Sequence, residues 1–212
     1  MIVVPAKDEA ERIAATVAAA LTVDPLVVVV DDGSSDGTAA IAERAGARVV
    51  RHERNRGKAA AMESGAAVAP EEPFLLFLDA DLGGTAAEGA KLLDAVRRGE
   101  ADCAIATLPP VKGGGHGFVV RLARDGIERA TGWAPAQPLS GQRCLTRTAF
   151  RAVLPLADGF GVETAMTIDL LLHGFRVVEV PTAMAHRVTG TSWRHRLHRL
   201  RQYRDVRRAL RR

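Results

Sequence analysis

The sequence predicts an α/β fold, with a mostly parallel central sheet covered by helices in a single domain. Short runs of β-branched residues alternate with alanine-rich helical segments, which is the pattern of strands joined by crossover helices. Two of these runs, residues 26–30 and 74–78, are continuously apolar, as expected of central strands that are buried on both faces. The 212 residues, of which 47% are hydrophobic, are enough for one sizeable core.

The same patterns place the elements in chain order. Strands are predicted at residues 2–4, 26–30, 48–51, 74–78 and 102–106, and helices at residues 9–21, 37–45, 58–69 and 86–98. Gly46 and Gly99 lie where the glycines that end helices are usually found. Later in the chain, the prediction is a mobile loop at 109–117, helices at 118–130 and 162–172, and strands at 140–145 and 175–180. Residues 1–190 are predicted to form one domain and residues 191–212 an arginine-rich C-terminal helix.

The net charge of +4 conceals an uneven distribution along the chain. Residues 191–212 carry nine arginines and one aspartate, which leaves 20 basic and 24 acidic residues in the rest. The basic character therefore belongs to the tail, and no nucleic-acid partner is expected for the domain. The tail also has a ragged apolar face, which fits packing on its own domain, a homodimer, or peripheral contact with a membrane.

No segment of the sequence resembles an export signal or a membrane span. The first residues have the pattern of a short strand and not of a signal peptide, and no apolar run approaches the roughly 20 residues of a membrane helix. Cys103 and Cys144 match no metal or redox spacing, so they are predicted to be reduced, partly buried thiols. A cytoplasmic location is expected, with peripheral membrane contact through the tail as the alternative.

The first candidate site follows the strand at residues 26–30. Asp31 and Asp32 come directly after four valines, and a Gly-Ser-Ser-Asp-Gly-Thr turn leads from them into a helix. Ligands of open α/β sheets bind outside the carboxyl ends of the strands, which makes this position suitable for the base and ribose of a nucleotide. Ser34, Ser35 and Asp36 can also serve only to build the turn and cap the helix, and some of them are expected to do so.

The second candidate site, Asp79-Ala80-Asp81, follows the strand at residues 74–78. Side chains alternate along an extended chain, so the two carboxylates can converge on one hard cation while Ala80 points away. A divalent cation there would stabilise a leaving diphosphate. Asp-x-Asp alone is a common pattern, and it becomes informative through the apolar strand before it and the acidic pair of the first site.

The third candidate site, Asn55-Arg56-Gly57-Lys58, opens a predicted helix. Backbone N–H groups and the helix dipole at such a position favour an anion. The alternative is an exposed lysine in the first helical turn. Because a cation is slightly unfavourable there, a negatively charged partner is the preferred interpretation.

Together these segments resemble glycosyltransferase family two and the related glucosyl-phosphoglycerate synthases, both of which have the GT-A fold. The resemblance rests on the order and spacing of the three sites, and it extends to residues 5–9, 137–142, 159–163 and 185–187. It implies a Rossmann-like GT-A domain that transfers a sugar from a UDP- or GDP-linked donor with the help of Mg²⁺ or Mn²⁺. The implied acceptor is a small molecule or a lipid phosphate.

The resemblance also implies roles for individual residues. Asp81 and His186 would bind the metal, and Asp81 and Glu163 are the expected catalytic residues. Asp79 would contact the ribose or a metal-bound water. The residues expected to bind the nucleotide-sugar are Pro5, Ala6, Glu9, Asp31, Asp32, Gly57, Lys58, Asp79 and Ala80.

Some features depart from the family pattern. Lys7 and Asp8 stand where an aromatic residue and an amide are common, and the Gln-x-x-Arg-Trp sequence of processive members is missing. Transfer of a single sugar is therefore expected. Glu163 would act as a general base with inversion, or would contact the sugar hydroxyls with retention, and the sequence leaves both open.

Two other functions fit parts of the pattern. One is a nucleotidyltransferase of related architecture, although no glycine-rich basic loop follows the first strand. The other is a non-catalytic nucleotide-binding module. The glycine-rich loop at residues 113–117 has the composition of a lid over a ligand, or of an ordinary connection.

Overall fold

The computed structural model describes residues 1–109 and 117–186, and of Phe160 only the backbone. Its strands are β1 (Ile2–Ala6), β2 (Val27–Asp31), β3 (Arg48–Arg51), β4 (Phe74–Phe77), β5 (Cys103–Thr107), β6 (Arg143–Thr146) and β7 (Val177–Pro181). They form one sheet in the order β3-β2-β1-β4-β6-β5-β7. β6 is antiparallel to both of its neighbours, and the other pairs are parallel. The predicted α/β fold with a mostly parallel sheet is confirmed.

The helices within the described residues are α1 (Ile13–Leu21), α2 (Thr38–Arg44), α3 (Lys58–Ala66), α4 (Gly89–Arg97), α5 (Phe118–Thr131), α6 (Arg147–Ala152) and α7 (Val162–Leu172). Short 3₁₀ turns at Gly83–Glu88 and Gly159–Gly161 lead into α4 and α7. Gly46 and Gly99 follow α2 and α4 with φ angles of 99° and 70°. This left-handed conformation ends helices, as the sequence predicted.

The first, third and fourth helices are shorter than predicted. α4 begins at Gly89, after the 3₁₀ turn, instead of at residue 86. α1 begins at Ile13 instead of residue 9 because the preceding backbone amides bond to side chains of the loop after β2 and of Thr38 at the start of α2. These amides belong to Asp8, Glu9 and Ala10, and their partners hold this stretch outside the helix. α3 ends at Ala66, three residues before the predicted end.

The segment around β6 was only partly predicted. The strand expected at residues 140–145 begins at Arg143, because a turn precedes it in which the Ser140 amide donates to the Gln137 carbonyl at 3.1 Å. α6 was missed, although Thr146 Oγ1 caps it by accepting from the Ala149 amide at 3.1 Å. β7 begins at Val177, two residues later than predicted.

The sheet separates two hydrophobic layers, because successive side chains of a strand point to opposite faces. Ile2 and Val4 of β1 belong to one layer, and Val3 to the other. The thiols divide in the same way, with Cys144 in the first layer and Cys103 in the second. Both cysteines are fully buried and free, and burial raises the pKa of Cys103 to about 11. They are therefore more deeply buried than the sequence suggested.

None of the helices in residues 1–109 and 117–186 has the length and apolar character needed to cross a bilayer. Residues 110–116, which contain most of the predicted loop, lie outside the described residues. The predicted arginine-rich helix at 191–212 lies outside them as well, so the domain boundary at residue 190 stays a prediction.

Candidate functional site

Several segments meet at one edge of the sheet because of its topology. The parallel strands β1, β2 and β4 all end there, which is where open α/β sheets bind ligands. β6 runs in the opposite direction, so the residues that precede it, 140–142, arrive at the same edge. β5 is antiparallel to β6, and β7 is parallel to β5, so β7 runs in the same direction as β4. The chain therefore leaves β7 at this edge and reaches His186.

The loops after β1 and β2 are joined by hydrogen bonds between their own residues. The Asp8 amide donates to Ser34 Oγ, and the Ser35 amide donates to Asp8 Oδ1, each at 2.9 Å. Asp36 accepts from the Ala10 amide at 3.0 Å and from the amide and hydroxyl of Thr38. The hydrogen bond from the Ser35 amide lowers the pKa of Asp8. The hydrogen bond from the Thr38 hydroxyl lowers the pKa of Asp36.

Ser34, Ser35 and Asp36 therefore build the loop, which is the role that the sequence allowed for them as an alternative to ligand binding. Asp8 adopts a positive φ of 56°, which is uncommon for a residue other than glycine but tolerated by aspartate.

The Asp31–Asp32 pair is also engaged by nearby backbone. Asp31 is buried and accepts from the Ser34 amide at 3.0 Å. Asp32 accepts from the amides of Arg56 and Gly57, each at 2.8 Å, and from His52 Nδ1 at 2.7 Å. Asp32 thus fixes the turn that opens α3 and places Lys58.

His52 was not singled out in the sequence. Its side chain is 5% exposed, and its Nε2 lies 3.0 Å from Ser64 Oγ. The ring therefore connects Asp32 with α3. A lone histidine after a strand gives no sequence signal for such a contact.

The second acidic pair converges with a histidine from the end of the described chain. His186 Nδ1 lies 2.9 Å from Asp81 Oδ1, and its Nε2 lies 3.9 Å from Asp79 Oδ2. One ligand atom from each of the three residues lies within 4.8 Å of the others, a grouping that can hold a metal ion. The three side chains are 22–39% exposed. A cation could therefore reach them from solvent.

Lys58 lies between two carboxylates of this site. Its Nζ is 2.8 Å from Asp79 Oδ1 and 2.9 Å from Glu163 Oε1. Burial by itself would lower the pKa of Lys58, but the charges of Asp79 and Glu163 hold it above its ordinary value. The negatively charged partner expected for Lys58 is thus supplied by the protein itself.

The pKa values of Asp79 and His186 follow from these contacts. Burial would raise the pKa of Asp79, but the charge and hydrogen bond of Lys58 hold it below its ordinary value. Asp79 is therefore ionised at neutral pH. The hydrogen bond with Asp81 raises the pKa of His186.

Gln142 and Gly141 complete the surroundings of Asp79. Gln142 is fully buried, and its Nε2 donates to Asp79 Oδ2. A Cβ added at Gly141 would meet Lys58 Nζ and would lie 3.0 Å from Asp79 Oδ1. Only a residue without a side chain lets the chain pass this close to the pair. The sequence included both residues in a family-like segment but gave no role to either.

A cavity of about 500 Å³ lies beside these groups. Its wall is formed by Pro5, Ala6, Lys7, Asp32, Asn55, Gly57, Lys58, Ala61, Asp79, Gly159 and Glu163. Seven of the residues predicted to bind or act on a nucleotide-sugar are among them: Pro5, Ala6, Asp32, Gly57, Lys58, Asp79 and Glu163.

The remaining predicted residues lie around this wall. Asp81 and His186 form the metal group with Asp79. Ala80 is buried in the core, where its carbonyl accepts from Thr16 Oγ1 at 2.8 Å. The Glu9 amide donates to Thr38 Oγ1. Five predicted residues within the described part of the chain do not line the cavity: Glu9, Asp31, Ala80, Asp81 and His186.

Comparison with known families identifies the family to which this chain belongs. The model of the family named Glycosyl transferase family 2 matches residues 1–151. The chain belongs to this family. The matched region includes both acidic pairs and Lys58, and the resemblance found in the sequence is thereby confirmed.

Curated relatives agree with this assignment. The chain is 32% identical over 169 residues to Glycosyltransferase AglJ of Haloferax volcanii, covering 78% of this chain and 55% of that protein. It is 42% identical over 87 residues to the succinoglycan biosynthesis protein ExoU of Rhizobium meliloti, covering 38% of this chain and 25% of that protein. This chain thus matches only about half of AglJ and a quarter of ExoU.

Solved structures of one enzyme share the fold of this chain. Glucosyl-3-phosphoglycerate synthase from Mycobacterium tuberculosis, in complex with Mn²⁺, UDP and phosphoglyceric acid, is 26% identical with a TM-score of 0.81. The match covers 99% of this chain and 76% of that one. The complex of the same enzyme with Mg²⁺ and UDP is 26% identical, has a TM-score of 0.79 and gives the same coverage. The predicted GT-A fold is confirmed.

Proposed function

We propose that this protein is a metal-dependent glycosyltransferase that transfers one sugar from a UDP-linked donor to a small phosphorylated acceptor. The observation that carries the proposal is the convergence of Asp79, Asp81 and His186 beside a cavity that also contains Lys58 and Glu163. The cavity volume of about 500 Å³ lies within the range of roughly 300–1,000 Å³ that is common for small-ligand sites.

The residues present fit a divalent cation. Two carboxylates and one imidazole are suitable ligands for Mn²⁺, and the carboxylates also suit Mg²⁺. Lys58 is paired with Asp79 and Glu163, and Asp81 lies beside His186, so the three carboxylates and one ammonium carry two excess negative charges when His186 is neutral. A bound divalent cation would balance them, and it would supply positive charge to stabilise a leaving diphosphate.

The protein's own residues would bind and orient the donor. Pro5, Ala6 and the Asp32-braced turn at Gly57 belong to the cavity wall, and we assign them to the base and ribose. Lys58 and Asp79 belong to the same wall, and Asp79 is also a member of the metal group. Because hydrogen bonds fix the loops after β1 and β2, this wall is held in place before a ligand arrives.

Glu163 is the residue that we place beside the transferred sugar. It lies in the first turn of α7, its side chain is 11% exposed, and Oε1 is paired with Lys58. Its Oε2 would take a proton from the acceptor hydroxyl in an inverting transfer, or would accept from a sugar hydroxyl in a retaining one. NMR of the product's anomeric configuration decides between these roles, because a retained configuration excludes Glu163 as the base of a single displacement.

The acceptor class is supported by the structural relatives. The Mycobacterium tuberculosis enzyme is seen with UDP-glucose and phosphoglyceric acid, and with UDP-glucose and glycerol 3-phosphate. Both acceptors are small phosphorylated molecules. We propose the same class for this chain, and a lipid phosphate is the alternative that the assay below separates from it.

A thermal-shift screen tests donor and metal binding first. UDP, GDP and their sugars are added with Mn²⁺ or with EDTA, and a ligand at 100 times its Kd should add about 2.7 kcal/mol to stability. We expect the largest shift with UDP compounds in Mn²⁺ and a much smaller one in EDTA. The absence of a shift with every nucleotide would contradict the proposal.

A transfer assay then tests the reaction. UDP-glucose is incubated with phosphoglyceric acid, glycerol 3-phosphate or a polyprenyl phosphate, and release of UDP and formation of a glycosylated product are followed. We expect product with a small phosphorylated acceptor. Release of pyrophosphate from a nucleoside triphosphate and a sugar phosphate would instead identify a nucleotidyltransferase, and binding without any turnover would identify a binding module.

A further inference from the structure

Arg143 is a buried arginine on an inner strand of the sheet, β6, which lies between β4 and β5. It is the first residue of β6, where Phe77 of β4 and Ile105 of β5 are its neighbours. Only 1% of the residue is exposed. Such a position in a strand between two others is usually apolar, so an arginine here requires an explanation.

The surroundings of Arg143 do not neutralise its charge. Within residues 1–109 and 117–186, no carboxylate forms a salt bridge with it, and its Nε has no hydrogen-bond partner. A buried guanidinium without a carboxylate partner is costly for folding. Its position therefore does not follow from stability alone.

The guanidinium joins two backbone segments at the site. One terminal nitrogen donates to the Ser140 carbonyl at 2.7 Å, and the other donates to the Glu163 carbonyl at 3.3 Å. The second nitrogen also lies 3.5 Å from Thr167 Oγ1, one turn further along α7. Arg143 thus ties the turn before β6 to the first turns of α7.

Both segments carry a side chain that contacts the Lys58–Asp79 pair. Gln142, in the turn before β6, donates to Asp79 Oδ2. Glu163, in α7, accepts from Lys58 Nζ at 2.9 Å. A shift between the two segments would therefore change the placement of Glu163 relative to Asp79.

We propose that Arg143 is a positioning residue that fixes Glu163 and Gln142 relative to each other through the carbonyls of Glu163 and Ser140. The role rests on the proposed glycosyl transfer. A planar guanidinium can donate to two carbonyls in different directions with a fixed geometry, and an ammonium cannot reproduce this fork. Two members of the metal group, Asp81 and His186, lie on other segments, and Arg143 forms no hydrogen bond with them in the part of the chain that the structure describes.

Arg147 provides a matched control. It follows β6, and its guanidinium also donates to main-chain carbonyls: Ala66 at 2.9 Å, Ala69 at 2.7 Å and Glu72 at 2.9 Å. These carbonyls lie at the end of α3 and in the loop before β4, away from the cavity wall. Its loss removes the same type of contact from a place that does not hold Glu163.

The test compares Arg143→Met, Arg143→Lys, Arg147→Met, Glu163→Gln and the double variant of Arg143→Met with Glu163→Gln. Melting temperature, the Kd for UDP in Mn²⁺ and kcat are measured for each. For Arg143→Met we expect kcat to fall at least about tenfold while the Kd changes less than about threefold. Arg143→Lys should recover part of the loss. Arg147→Met should lower the melting temperature and keep kcat within about twofold.

The double variant shows whether Arg143 acts through Glu163. Its kcat should be within about twofold of that of Glu163→Gln alone, because the lost positioning no longer matters once Glu163 is replaced. Fully multiplied effects would overturn the proposal, and so would equal kcat losses in Arg143→Met and Arg147→Met. If Arg143→Met does not fold, Arg143→Lys is compared with Arg147→Lys by the same criteria.

Hydrogen–deuterium exchange separates this inference from the proposed function. Amide exchange at residues 140–142 and 162–164 should rise in the Arg143 variants and stay at the wild-type level in Arg147→Met. This measurement requires no activity. Unchanged exchange in these segments overturns the inference, whereas a wild-type protein that binds no UDP overturns the proposed function and leaves the exchange result to decide the role of Arg143.

Discussion

Asp31 and Asp32 lie at the end of β2, and Asp79 and Asp81 lie just after β4, yet the two acidic pairs have different partners. The first pair accepts hydrogen bonds mainly from backbone amides of nearby turns. The second pair meets charged or ionisable side chains, Lys58 and His186, from distant parts of the chain. An acidic pair at the end of a buried strand therefore does not by itself indicate a metal site.

The difference lies in the number and charge of the donors. Amides can satisfy the lone pairs of a carboxylate locally, and such a carboxylate fixes a loop without an external ion. Around Asp79 and Asp81 the partners are side chains: Lys58 pairs with Asp79 and Glu163, and His186 lies beside Asp81 in a grouping that can hold a metal ion. The first pair thus holds the neighbouring turns in place, with Asp32 in the cavity wall, and the second pair is the better candidate for the metal.

Asp81→Ala should have the largest effect on function. We expect kcat/KM to fall about 10³-fold, which corresponds to roughly 4 kcal/mol, because the metal group loses one of its carboxylates. The Mn²⁺-dependent part of the UDP thermal shift should disappear. Asp31→Ala is the matched control, and an equal loss of the Mn²⁺-dependent shift in that variant would contradict the distinction between the pairs.

Asp32→Ala should mainly reduce stability. Its carboxylate accepts from the amides of Arg56 and Gly57 and from the buried His52 ring, so its removal takes away three hydrogen bonds that hold the turn before α3. We expect the free energy of unfolding to fall by about 2–3 kcal/mol, measured by urea denaturation. UDP binding should weaken because the turn before Lys58 is loosened, but isothermal titration in the presence of UDP should still show a bound Mn²⁺. Loss of the metal without loss of stability would show that Asp32 is a ligand and not a brace.

Gly141→Ala should weaken the site without unfolding the protein. The added Cβ would meet Lys58 Nζ, which lies at the end of a flexible side chain and can move away. The Lys58–Asp79 pair would be disturbed, and we expect a loss of about tenfold in kcat/KM, or roughly 1.4 kcal/mol. Gly84→Ala is a suitable control because a Cβ there meets nothing within 4 Å. Unchanged kinetics in Gly141→Ala would show that the close approach at Gly141 has no functional role.

The smallest effect is expected for Asp36, in the loop after β2, as a pH-dependent change in melting temperature. Hydrogen bonds from Thr38 lower the pKa of Asp36 in the folded protein, so its ionised form stabilises the fold above its ordinary pKa. This contribution is lost as the pH falls through the lowered folded pKa. The melting temperature of Asp36→Asn should therefore lie below that of the wild type at pH 6, and the difference should shrink toward pH 2. A difference that grows on acidification would contradict the assignment.

Much of the fold could be predicted because its signals are local. The apolar runs of β2 and β4, the glycines after α2 and α4, and the helix at 162–172 follow from side-chain period and backbone conformation. α6 was missed, although the capping Thr146 was a local signal for it. The start of α1 was misplaced because the amides before it bond to a loop 26–29 residues away.

The sequence predicted which residues belong to the candidate site better than it predicted the contacts between them. The sequence by itself determined that two acidic pairs follow buried strands and that Lys58 opens a helix, because these are facts of local order. Only the tertiary structure decided that Asp32 bonds to the turn before Lys58 and that Lys58 pairs with Asp79 and Glu163. It also decided that Arg143 donates to the Glu163 carbonyl. These contacts join residues far apart in the chain, and the antiparallel direction of β6 brings Gln142 and Arg143 to the edge where the parallel strands end.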